Sequence, residues 1–240
     1  MKVIKIICVV LAIALISGSI GFYYFYDNGL SGLHSYTEAK EGQIKVSCVG
    51  DSVTYGHSIK NWKDNNYPAV LQGLLGEDYC VQNFGESGAT VQDSGDQPYT
   101  TYKPYAESQK YLGDIVVIMI GSNDSKPENW KGEDDFKAAY RTFLGLYLTH
   151  CEKIYICTPP ATYYAEGEKE EGLMSYDIQG EVVSELTQYI REVAKEFSLP
   201  VIEISELTAN HREWFSKDGV HPNNEGAKQI ANAVCEAIKQ

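Results

Sequence analysis

The chain is poor in basic residues. Its 240 positions hold 20 lysines and arginines against 33 aspartates and glutamates, for a net charge of −13. Two of the basic residues, Lys2 and Lys5, and none of the acidic ones fall before Asp27, so the remainder is more acidic still. Such a surface has no footprint for a phosphate backbone, which argues against nucleic-acid binding. Acidity also weakens attraction to anionic polymers or lipid headgroups. No CxxC occurs and no Cys/His cluster has zinc spacing, so no metal site is expected. Internal repeats and a second domain boundary are also missing. What is present, 43% hydrophobic and 12% aromatic residues, excludes disorder.

One long apolar run stands at the start. Ile6 to Tyr26 are 21 consecutive uncharged positions behind Lys2 and Lys5. A cleaved signal peptide would use Ser17, Ser19 or Gly21 near its cut. A retained anchor needs about 20 apolar residues and favours rings at the membrane boundary, here Phe22 to Tyr26. The length favours the anchor. In either case the segment 1–26 is the only membrane element expected, 27–42 is a polar linker, and 43–240 is one extracytoplasmic domain. Of six cysteines, Cys8 lies in the leader. Cys48, Cys80 and Cys157 fall in apolar runs where a free thiol acts as a small hydrophobe, and a Cys151–Cys157 bridge stays open.

Within the domain, short apolar runs alternate with helical patterns. Strands are expected at 44–49, 79–83, 114–120, 153–158 and 200–204, and helices at 68–75, 134–148, 181–197 and 225–238. Val116 to Ile120 is apolar at every position, as a strand covered on both faces should be. Alternating strands and helices imply an α/β fold with a parallel sheet. Ligands of such sheets sit beyond the carboxyl ends of the strands. There the sequence places Gly50-Asp51-Ser52-Val53, Asn83 to Thr90, Gly121-Ser122-Asn123-Asp124, and, before the last helix, Asp218-Gly219-Val220-His221-Pro222.

These residues suit acyl transfer. A serine hydroxyl needs a base, and His221 is the only one of five histidines with an aspartate three residues earlier in a glycine-containing turn. Asp218 can curl back to its Nδ1–H and fix the tautomer. Donors for an oxyanion are available from the Asn123 amide, the Gly88 N–H and the Ser52 N–H. Taken singly, each of these residues is also ordinary loop chemistry.

Together they resemble the SGNH hydrolase family, or GDSL-type esterases. The four marks stand in chain order: Ser52 in Gly50-Asp51-Ser52-Val53, Gly88, Asn123 in Gly121-Ser122-Asn123-Asp124, and His221 with Asp218. Val53 replaces the frequent leucine, and the resemblance spans about residues 44–236. It implies a three-layer α/β/α, flavodoxin-like fold with a five-stranded parallel sheet. It also implies Ser52 as nucleophile, His221 as base, Asp218 as its orienter, and Ser52, Gly88 and Asn123 as oxyanion donors, with no metal or organic cofactor.

The substrate is less legible. Tyr99, Trp130 and Trp214 lie near the motifs, and rings with polar edges suit sugars. No loop near the motifs is apolar enough for a long acyl chain. The expectation is therefore an esterase that removes short acyl groups, acetyl first, from a glycan. Rival readings are a lysophospholipase or thioesterase, a wall-polysaccharide O-acetyltransferase, and a non-catalytic glycan-binding module.

Overall fold

The computed structural model describes residues 36–240. The apolar run 6–26 and its two readings lie outside the described residues. The end of the 27–42 stretch rests on the sheet edge, where Tyr36 stacks on Phe84 at 5.0 Å and Thr37 donates its N–H to Gln82 Oε1 at 2.9 Å.

Five parallel strands form one sheet in the order β2-β1-β3-β4-β5. They are β1 (Ile44–Gly50), β2 (Tyr79–Gly85), β3 (Ile115–Met119), β4 (Lys153–Cys157) and β5 (Val201–Ile202). The helices are α1 (Ser52–Tyr55), α2 (Trp62–Asn65), α3 (Tyr67–Leu75), α4 (Lys103–Tyr111), α5 (Glu133–Leu148), α6 (Gly180–Glu196), α7 (Ile204–Thr208) and α8 (Asn224–Lys239). The expected α/β/α architecture is therefore present.

Alternation along the strands builds two cores. On β3, Ile115, Val117 and Met119 face one layer, where Tyr67, Leu71 and Leu75 of α3 meet Ile230, Ala231 and Val234 of α8. Val116 and Ile118 face the other, against Phe136, Tyr140 and Phe143 of α5 and Leu186, Ile190 and Val193 of α6. Side chains on successive strand positions point to opposite faces, so a strand buried on both sides must be apolar throughout. Full burial of each aliphatic side chain contributes about 1.5–3 kcal/mol. Ile190→Ala would open a cavity costing about 2–5 kcal/mol.

Two expectations needed correction. The last strand is only Val201–Ile202, because Ile204 already opens α7. The stretch Lys103–Tyr111, where no helix was expected, is one, with Pro104 in its first turn, where a missing N–H costs nothing. All five cysteines of the described residues are free and buried. Burial pushes the Cys48 thiol up to about 12, so it is a packing group.

Candidate active site

The chain runs from β1 to β2 on one side of the sheet and then crosses to β3 on the other. A crevice opens at such a reversal, at the carboxyl ends of β1 and β3. Ser52 stands there, separated from the end of β1 by Asp51 alone and first in α1. Asp51 caps that helix, its Oδ1 accepting the Val53 N–H at 3.0 Å. Burial pushes the Asp51 carboxyl up to about 6, against N–H donors from Val53, Gly121 and Ser122 and the nearby His221. The turn after α1 folds back, with the His57 N–H on the Ser52 carbonyl at 2.9 Å, which returns His57 to the crevice.

The histidine arrives on a turn fixed by its own aspartate. Asp218 Oδ1 accepts the N–H groups of Val220 and His221 at 2.8 and 2.9 Å, and its Oδ2 lies 2.9 Å from His221 Nδ1. Gly219 has φ +75°, and a Cβ there would stand 2.2 Å from the Tyr163 carbonyl oxygen, so glycine is required. Burial works to raise the Asp218 carboxyl, but the hydrogen bonds and charge of His221 outweigh it and hold it well below the carboxylate range. With the carboxylate at Nδ1, that nitrogen carries the proton, and Nε2 accepts from the Ser52 hydroxyl at 2.9 Å. Ser52, His221 and Asp218 thus form one hydrogen-bonded chain, and a serine so placed can pass its proton to the ring.

Three candidate donors line the cavity at Ser52. Asn123 lies in the turn after β3, is 6% exposed, and spends one amide hydrogen on the Ala89 carbonyl at 3.1 Å. That leaves its second hydrogen for a ligand. Among the described residues, the Ser52 and Gly88 N–H groups meet no protein acceptor. Gly88 has φ +84°, which favours glycine. Asp124, quoted in the sequence motif without a role, has one here. It is fully buried and accepts the Val91 and Gln92 N–H groups at 3.0 and 2.9 Å, tying the loop after Gly88 to the Asn123 turn. Burial raises its carboxyl to about 7 despite those bonds.

The cavity at Ser52 encloses about 200 Å³, and its walls include Gly88, Asn123, Lys126, His57, Tyr176 and His221. Larger grooves exist elsewhere, one of about 890 Å³ beside Thr162, Met174 and Arg191, but none holds this set of groups. The rings expected to hold substrate do not line the cavity. Tyr99 is a core residue, 1% exposed, with its hydroxyl on the Phe84 carbonyl and its ring against Phe143. Trp130 packs toward the α5–α6 core and stacks on Tyr189 at 6.5 Å. Trp214 stacks on His211 at 3.7 Å. The rings at the site are instead His57 and Tyr176, whose centroids lie 4.4 and 4.9 Å from that of His221. His57 stands five residues beyond Ser52, and a histidine closing the turn after the serine was the available signal. Tyr176 had none.

Comparison with known proteins bears on the family and the fold. The model of the GDSL-like lipase/acylhydrolase family matches residues 48–229. An acetylxylan esterase of Xylanibacter ruminicola is 31% identical over 93% of this chain and 51% of its own length. An N-acylneuraminate cytidylyltransferase of Escherichia coli is 24% identical over 85% of this chain and 44% of its own. The chain therefore spans about half the length of these relatives. Among solved structures, a carbohydrate acetylesterase of Sinorhizobium meliloti superposes with a TM-score of 0.68 at 18% identity, covering 82% of this chain and 99% of that one. An aryl esterase of M. smegmatis gives 0.67 at 19%, covering 82% and 98%. At those identities the likeness concerns the fold.

Proposed function

Because the chain belongs to the GDSL-like lipase/acylhydrolase family, we propose that it is a serine esterase that removes short acyl groups, acetyl first, from a carbohydrate. The observation that carries this reading is the Ser52–His221–Asp218 chain, with 2.9 Å at each link, opening on a cavity of about 200 Å³. Ser52 Oγ attacks the ester carbonyl while Nε2 of His221 takes its proton, and Asp218 stabilises the imidazolium. The carbonyl oxygen becomes an oxyanion held by the Ser52 and Gly88 N–H groups and the Asn123 amide. As the carbon–oxygen bond breaks, His221 returns the proton to the departing sugar hydroxyl. Water then repeats the sequence on the acyl-enzyme, releasing acetate and restoring Ser52.

A cavity of this size has room for an acetyl group beside Ser52. The acetylxylan esterase and carbohydrate acetylesterase relatives support the same choice. Residues 6–26 deliver the domain outside the cytoplasm, as a retained anchor or a cleaved leader, where glycans are accessible. Cell fractionation tests that delivery: activity in the membrane or medium fraction is expected, and activity confined to the cytosol contradicts it.

The test of function is hydrolysis of p-nitrophenyl acetate, butyrate and octanoate, followed by acetate release from acetylated xylan oligosaccharides. The expected order is acetate above butyrate far above octanoate, with acetate released from the glycan. A preference for octanoate overturns the assignment in favour of lipid or thioester substrates.

A further inference from the structure

His221 is held by two hydrogen bonds, from Nδ1 to Asp218 and at Nε2 to Ser52. Bonds at two ring nitrogens leave the imidazole one soft motion, a tilt about the line joining its partners. Two other rings limit that motion. His57 lies 4.4 Å from His221 at an interplanar angle of 44°, and Tyr176 meets it nearly edge-on at 4.9 Å and 78°. The same two residues touch each other, with Tyr176 Oη 3.4 Å from His57 Nε2.

Tyr176 is not placed there by core packing. Half of its surface is exposed, and both it and Asp177 have left-handed backbones, with φ of 61° and 60°. Two consecutive non-glycine residues in that region are strained, and they persist only when their surroundings over-determine them. The segment is tied on both sides of the site. Ser175 Oγ donates to the Asp218 carbonyl at 2.8 Å, and the Gln179 amide donates to the Ser125 carbonyl, two residues past Asn123. The strained turn is therefore braced against the histidine turn and the asparagine turn, and the ring it presents lies on His221.

We propose that His57 and Tyr176 are positioning residues that bracket the His221 imidazole and exclude water from it, so that one orientation serves both proton transfers. The proposal rests on His221 being the base of the reaction above. Misplacement of a reacting group by about 1 Å costs up to 10²-fold in rate, so limiting the tilt bears on turnover. The charge of the bracket also matters. Burial, and then the charge of His221, lower His57 to about 4, so it is a neutral ring at neutral pH and does not oppose an imidazolium beside it. The other ionisable groups around His221 are Asp218 on its own turn, Asp51 after β1, the Tyr176 phenol, and Lys126 on the cavity wall.

The test compares full-length wild type with His57→Ala, His57→Phe, Tyr176→Ala and Ser52→Ala on p-nitrophenyl acetate across the pH range. Both alanine variants are expected to lose about tenfold in kcat with little change in KM, as fits a misaligned base. His57→Phe, which restores a ring, should recover to within about threefold of wild type. Water admitted by His57→Ala stabilises the imidazolium, so the acid limb of kcat/KM moves to higher pH. A change confined to KM, or a fall in kcat with the limb unmoved, overturns the proposal. Tyr176 is half exposed, so its truncation leaves the core intact and carries the test if His57→Ala folds poorly. Turnover in Ser52→Ala equal to wild type would instead overturn the serine-esterase reading, and this proposal with it.

Discussion

Ser52, Asn123 and Asp124 stand at the ends of the two central strands, and none is more than 8% exposed. Across the same cavity, Tyr176 and Asp177 are carried by a segment with no strand behind it and two left-handed residues in a row. On the strand side, every position follows from an element already fixed by two hydrophobic cores. On the other side, position depends on local turn chemistry: Asp218 bonding its own turn, Ser175 bonding that turn, and glycine at 219. The strand side can therefore hold groups that must not move during the reaction, the attacking oxygen and the oxyanion donors. The loop side holds the base, whose proton is taken and returned, together with the wall a substrate must pass. Rigid elements carrying the nucleophile and loops carrying the wall is a division that lets substrate range change without rebuilding the chemistry.

Substitutions on the strand side should have the largest effects. Ser52→Ala should reduce kcat on the order of 10⁵- to 10⁶-fold, measured on p-nitrophenyl acetate with thermal unfolding unchanged. Asn123→Ala should cost roughly 10²–10³-fold in turnover, smaller because two backbone donors remain. A loss in Asn123→Ala as deep as in Ser52→Ala would mean that the turn itself had collapsed.

Asp124 sharpens the comparison by separating stability from chemistry. Asp124→Ala strands the buried Val91 and Gln92 N–H groups and should cost about 2–5 kcal/mol in denaturant unfolding, whereas Asp124→Asn keeps an acceptor and loses less. Its ionisation sets a pH trend as well. The folded carboxyl holds its proton toward about 7, whereas the unfolded chain releases it near 3.8, so stability falls as pH rises through that window. Asp51, raised to about 6, acts in the same direction. Asp218 acts oppositely and lower: its depressed carboxyl contributes stability above 3.8 that is lost as pH falls further. Asp124→Asn should flatten the decline between about pH 4 and 7. An unchanged slope would remove Asp124 as its source.

The smallest effect belongs to the loop side. Asp177→Gly relieves a left-handed backbone and should stabilise the fold by up to about 1 kcal/mol, offset in part by the glycine's greater freedom when unfolded. A loss of stability there would show that the Asp177 side chain holds the turn.

The same division explains what could be read from the sequence. Strand ends are legible because a continuous apolar run has to stop, and the polar residues at its end have one place to go. Ser52 and Asn123 were found in that way, and Asp218 with His221 by a three-residue spacing that a turn can close. Rings were not legible. Tyr99, Trp130 and Trp214 lie close to the motifs along the chain, but Tyr99 points into the core and both tryptophans stack elsewhere. No periodicity separates a loop ring that faces a cavity from one that anchors a loop. Lys103–Tyr111 hid for a related reason: its charged and aromatic residues leave no continuous apolar stripe. Tyr176 lies on the cavity through a strained turn braced by Ser175 and Gln179, and strain leaves no mark in a pattern of hydrophobic and polar residues.

The central claim is that the Ser52 hydroxyl becomes acylated and is then freed by water. Rapid mixing with p-nitrophenyl acetate, acid quenching and peptide mass spectrometry measure that directly. The account predicts a burst of p-nitrophenol with one acetyl group on the peptide containing Ser52, absent in Ser52→Ala. Steady turnover with no acetyl on that peptide at the earliest times, or acetyl on another residue, would contradict it.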